Sequence, residues 1–257
     1  MIAATVQVFF NGRTTVDYLN SCWKELAGLE APLRMNIHIC HYHSSNVFKR
    51  KFELYYGTDS TEASMLMPLA KKIINSERMD EVEFYVTKLL LVCGSSNVTP
   101  EVAVALTDFD ELAPAEGAVP PFDYSRCSIQ EDPNHNDPLY VTTFFGSYFR
   151  ELADSIEDRG QQGNIVNDMY CKPLVKYLCV YIFPYLSILT NVMFVLREDL
   201  QLNLHNQPVE KWHDIVKNHE QGADGKQKVP HYIRSSAAVI KGSAIMNMCK
   251  HGCNLHF

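Results

Sequence analysis

The sequence has no feature that by itself names a chemistry. It has no G-x-S-x-G nucleophile elbow, no G-x-x-x-x-G-K-[ST] phosphate loop, no G-x-G-x-x-G fingerprint and no H-E-x-x-H metal helix. The common serine-hydrolase, nucleotide-triphosphatase, dinucleotide-binding and zinc-protease frameworks therefore lack their carriers. No internal repeat or low-complexity tract is present, which excludes solenoid and collagen-like architectures. The opening residues MIAATVQVFFNGR lack the basic flank and long apolar run of a secretory leader. The eight cysteines are scattered along the chain, so reduced thiols in an intracellular protein, nuclear or cytoplasmic, are expected. None of the eight is singled out as the nucleophile of a Cys–His hydrolase.

Cationic charge is also scarce. The net charge is −7 over 257 residues, which gives no whole-chain argument for nucleic-acid binding. Its distribution is more informative. Residues 1–98 carry ten Lys/Arg against ten Asp/Glu, residues 99–204 six against sixteen, and residues 205–257 seven against four with six of the ten His. The last fifth is thus the only basic region, carried mainly by Lys211, Lys217, Lys226, Lys228, Arg234 and Lys241.

What is present is mostly helical pattern. Val16, Leu19, Trp23 and Leu26 recur at helical spacing, with Thr14 or Thr15 as cap and Gly28 past the end. Residues 34–42, RMNIHICHY, alternate apolar and polar, a strand signature. Helices follow over SSNVFKRKFELYYG, over 60–76 with Pro68 inside, and over 80–93. Residues 95–138 change character, with nine acidic residues, one arginine and six prolines. A short helix with Thr99 as cap and Pro100 in its first turn is expected there, and then an acidic loop or linker. Helices resume with Tyr140, Phe144, Tyr148, Leu152 and Ile156 on one face. The twenty residues from Tyr177 to Leu196 carry no charge, which is membrane-spanning length. Pro184 splits the run, and two buried core helices are preferred to a span. A helix with Asn206 as cap, Pro208 in its first turn and a Val209, Trp212, Val216 stripe comes next, then a last helix and the tail CKHGCNLHF. The domain reading is 1–98, an acidic linker 99–138, and a helical region 139–257.

Three constellations could carry chemistry. Cys40 and His43 form a C-x-x-H, half of a zinc site or simply a polar strand end. Cys249, His251, Cys253 and His256 crowd the tail. Cys249, Cys253 and His256 could complete the Cys40/His43 pair around Zn²⁺, or the tail is Cys/His-rich by chance. Glu210 and His213 lie on one helical face, but the second Glu-x-x-His of a di-iron bundle is missing, and Glu210 near a helix start can serve as a cap.

Taken in order, the NSCWKEL helix, the strand ending in C-x-x-H, the many helices, the hydrophobic pair and the NQPVE helix followed by Trp212 and Lys217 resemble the downstream part of Mutator-like DDE transposases. The resemblance spans roughly residues 1 to 245 and rests on the order of individually weak motifs. It implies a mainly α chain with a small β component, an incomplete RNase H-like α/β core carrying a helical insertion. It implies that Glu210 stands for the final catalytic acid, with double-stranded DNA and self-association as partners. Such enzymes need two strand-borne Asp before the C-x-x-H to hold two divalent ions. Here only Asp17, Glu25 and Glu30 precede it, and Asp17 falls on the first helix. The expectation is a transposase-derived protein, catalytically inactive as it stands, with Glu210 a remnant. Mg²⁺ chemistry would return only if a further N-terminal segment supplied both Asp. The rival expectations are a helical interaction protein with residues 99–138 as its partner surface, and a single-span membrane protein. If the zinc expectation is right, atomic absorption on the purified protein finds zinc and Cys40→Ser lowers its content. An unchanged content in that variant removes Cys40 from any metal site.

Overall fold

The computed structural model describes residues 12–28, 39, 41–107, 109, 111–118, 120–128 and 142–195. All belong to the unit that ends at Leu204, and residues 205–257 lie outside the described ones. About 69% of the described part is helical and about 1% is strand. The single β pairing among the described residues is an isolated antiparallel bridge between Asn97 and Val166.

This overturns the RNase H-like α/β core and its small β component. The expected strand 34–42 shows why. Residues 34–38 and 40 lie outside the described residues, but His41 and Tyr42 are the first residues of a helix, α2 (His41–Tyr56). A short alternating run is weak against a helical pattern that overlaps it. Ser44, Phe48 and Phe52 recur every four residues, and all three are buried. A strand also needs a ladder partner, and among the described residues none is offered.

Helix α1 (Gly12–Leu26) buries Leu19 and Cys22 and ends where Gly28 turns back with φ +69°, the left-handed conformation suited to a residue without Cβ. Helix α3 (Thr61–Asn75) starts at Ser60, whose hydroxyl accepts from Ala63 N at 3.0 Å. Its buried positions Ala63, Leu66, Leu69, Ala70, Ile73 and Ile74 trace one face, and Pro68 is tolerated within it. Helix α4 (Met79–Gly94) is central, packing against α3, α5 (Pro100–Thr107), α6 (Phe144–Gly160) and α7 (Lys172–Tyr181). Val82, Val86, Leu89, Leu90, Val92 and Cys93 are all buried within it.

Thr99 caps α5 as expected, accepting from Val102 N at 3.3 Å. Thr143 caps α6 by accepting from Gly146 N at 3.0 Å, and its hydroxyl donates to the Pro184 carbonyl at 3.1 Å. The uncharged run folds as the proline implied. Helix α7 stops at Tyr181, a 3-10 turn spans Phe183–Tyr185, and two short helices follow, α8 (Leu186–Leu189) and α9 (Val192–Val195). The stretch Lys172–Leu189 has the length and apolarity of a membrane span, yet 67% of it is buried against the other helices.

Two close contacts lock the core. A Cβ on Gly160 would lie 2.6 Å from Ser95 Cα, so the end of α6 touches the backbone just after α4. Asn167, 3% exposed, donates from Nδ2 to the carbonyls of Val92 and Ser95, both at 2.8 Å, and accepts from Met169 N at 3.0 Å. One side chain thereby satisfies two carbonyls at the C-terminal end of α4 and one amide of its own loop. Asn167→Ala strands them, and its cost in urea unfolding is expected at about 3 kcal/mol. A loss under about 0.5 kcal/mol would show that water replaces the amide there.

Candidate functional site

The face of α4 not covered by other helices carries Phe84, Thr87, Lys88 and Leu91, which helical spacing places together. Lys88 is the anomaly on this face. Its side chain is only 6% exposed, so its ammonium needs a partner. The partner comes from the acidic segment, whose Glu111 carboxylate meets Lys88 Nζ at 2.9 Å while staying 44% exposed itself.

That segment is fastened across α3 and α4 by a row of such contacts. Lys72 Nζ donates to the Glu111 carbonyl at 2.8 Å, Tyr85 Oη accepts from Ala113 N at 2.9 Å, and Arg78 donates to the Pro114 carbonyl at 2.8 Å. Farther along, Asp123 accepts from Ser125 N at 3.0 Å and starts a 3-10 turn, Tyr124–Arg126. Phe122 inserts among Tyr124, Phe145 and Tyr148 with edge-on ring contacts. Arg126 donates to Tyr148 Oη at 2.6 Å, and the Tyr148 hydroxyl donates onward to Glu83. Such a chain of donors is mutually polarising.

Between α4, α5 and this segment lies a groove of about 880 Å³. Phe84, Leu91, Val104, Ala105 and the prolines at 114, 120 and 121 supply apolar surface, and five carboxylates face two cations around it. Both cations are engaged, Lys88 with Glu111 and Arg126 with Glu83 and Tyr148. Val104 on the α5 wall is 62% exposed, and Leu112, next to Glu111, is 81% exposed. A concave, partly apolar surface of acidic balance is suited to recognition of a cationic, apolar-bearing segment.

The residues expected to carry chemistry fare differently. His43 lies in the first turn of α2, exposed, with its ring edge-on to Tyr42. It is therefore not at a strand end. Cys40, Glu210, Cys249, Cys253 and His256 lie outside the described residues, as do Lys211, Lys217, Lys226, Lys228, Arg234 and Lys241. Among the described residues no three His, Cys, Asp or Glu side chains gather as a metal site would require. Burial pushes the thiols of Cys93 and Cys179 up to about 12 and that of Cys127 to about 11, the opposite of an activated nucleophile. Comparison with protein-family models, with curated proteins and with solved structures finds no match.

The sequence reading pointed at the acidic stretch but missed the α4 face opposite it. The available signal was a lysine among Phe84, Leu89, Leu90 and Leu91 on a helix otherwise rich in buried positions.

Burial also sets the alkaline limit of the fold. It raises the Cys93, Cys127 and Cys179 thiols above 9.0 and the Tyr124 phenol from 10.0 to about 12, and it raises Tyr56 and Tyr148 as well. Each group is neutral when protonated and keeps its proton longer in the folded chain. The stability this contributes is whole below the unfolded values and is lost as pH climbs through the folded ones. The urea midpoint is expected to hold from pH 7 to about pH 8.5 and to fall clearly by about pH 10.5. A flat midpoint across that interval would mean that these groups are solvated in the fold.

Proposed function

We propose that this chain is a helical protein-interaction module whose groove over α4 and α5 receives a partner segment carrying basic side chains beside apolar anchors. The observation that carries this reading is the placement of exposed Val104 on the wall of a groove ringed by more carboxylates than cations, with exposed Leu112 following the groove residue Glu111 in the chain. Apolar side chains at that exposure supply the contact area of an anchor pocket, and the carboxylates set the sign of the partner. The prolines at 114, 120 and 121 limit the backbone freedom of the far wall, which lowers the ordering cost of binding. Residues 99–204 carry sixteen Asp/Glu against six Lys/Arg in sequence, the same sign as the groove. An intracellular setting belongs to this reading, in keeping with the scatter of the cysteines along the sequence.

A second reading, a chain that makes duplex-DNA contacts, is supported by the basic balance of residues 205–257. The two readings separate in one titration. The full chain is mixed with labelled peptides of alternating Lys/Arg and Leu, and in parallel with labelled duplex DNA, and fluorescence polarisation is followed. Saturable peptide binding is expected, with Val104→Asp or Leu112→Asp lowering affinity at least about tenfold. Glu101→Lys should weaken binding and flatten its salt dependence. Peptide binding that survives Val104→Asp, or duplex binding with no peptide binding, would overturn the groove reading.

A further inference from the structure

Helix α2 buries Ser44, Phe48 and Phe52 and turns another face outward. On that face Val47 is 39% exposed and Leu54 is 66% exposed. Arg50 lies between them in the chain, is exposed as well, and makes no ion pair or hydrogen bond among the described residues. Residues i, i+3 and i+7 of a helix share one stripe, so these three stand in a row over about 10 Å. Lys49 and Lys51 flank the row, Lys49 in an exposed pair with Glu53 at 3.6 Å and Lys51 over the Tyr177 ring at 4.1 Å. Arginine is among the residues enriched at interface anchors, and apolar neighbours keep water from its contacts.

The groove over α4 repeats this spacing with the opposite charge. Phe84, Thr87 and Leu91 line it, again at i, i+3 and i+7, and each is partly buried on the open face of α4. Two helices pack well when the rows of one fit between the rows of the other. The carboxylates of Asp80, Glu83, Glu101, Glu111 and Asp123 surround the groove. Glu101 keeps 58% exposure, with Arg159 no nearer than 3.9 Å. No residue of α2 lines the groove, so the α2 stripe and the groove are separate surfaces of the chain.

We propose that the segment received by the groove is the α2 stripe of a second copy of this chain. The inference rests on the groove reading above and names its occupant. Val47 and Leu54 of one copy pack against Phe84 and Leu91 of the other, and Arg50 enters among the carboxylates of the rim. The two surfaces differ, so the contact is heterologous, and each copy offers one stripe and one groove for head-to-tail addition.

The test is sedimentation velocity on the full chain from about 1 µM to about 200 µM, the range in which a micromolar contact populates. The weight-average mass is expected to rise above the monomer with concentration. Arg50→Glu and Leu54→Asp alter exposed side chains, so the melting temperature should hold while association falls at least about tenfold. Complementation fixes the direction of the contact. A chain with Arg50→Glu keeps its groove, and a chain with Val104→Asp keeps its stripe. At a concentration where the parent associates, each variant alone should stay monomeric, and their equal mixture should form a 1:1 dimer that grows no further. The proposal is overturned if the parent stays monomeric throughout, if association survives both α2 substitutions, or if the mixture stays monomeric. Where the parent stays monomeric yet binds the Lys/Arg and Leu peptide, the second copy is the wrong occupant and the groove reading stands. Where it binds neither, the groove reading falls with it.

Discussion

Helix α4 is enclosed by α3, α5, α6 and α7, and most of the described structure can be understood as the covering it requires. A helix with Val82, Val86, Leu89, Leu90, Val92 and Cys93 all buried has apolar surface on nearly every side. Its C-terminal carbonyls must also be satisfied, because they end inside the protein. Asn167 does this for Val92 and Ser95, and the amide of Cys171 donates to the Cys93 carbonyl at 2.8 Å. The bridge between Asn97 and Val166 and the contact of Gly160 with Ser95 belong to the same joint. Close approach of backbones there leaves room for no Cβ on residue 160.

The remaining face of α4 explains the acidic segment. Lys88 is set too deep to reach bulk water, and Glu83 and Tyr148 lie side by side at a helix crossing. Glu111 and Arg126 answer these two demands from opposite ends of one connecting stretch. The stretch is thereby held at some distance from α4 between its anchor points, and the groove is the space left under it. A feature that resembles a binding site thus follows from how a loop meets buried charges. The same packing leaves carboxylates in excess over cations around that space.

Much of the helical order was legible in advance, for definite reasons. Thr99 is a cap residue at the start of a periodic run, and it caps. Pro184 cannot continue a helix, and the uncharged run breaks there. The strand expected over 34–42 fails at its end, where His41 and Tyr42 already belong to the helix whose pattern continues through Phe48 and Phe52, while residues 34–38 and 40 lie outside the described ones. With that strand goes the RNase H-like core built on it. The groove was half legible: the acidic, proline-rich stretch stands out, but its partner face on α4 carries no motif.

Most of the helical periodicity, the Thr99 cap and the sign of the charge on each stretch were readable from the chain alone, because these depend on neighbours within a few residues. Tertiary structure alone decided which carboxylate meets Lys88 and which glycine must stay bare. Those outcomes join residues far apart in the chain, such as Asn167 with Val92 or Arg126 with Glu83. No local pattern records such a distance, since it is set by how helices pack once their apolar faces are buried.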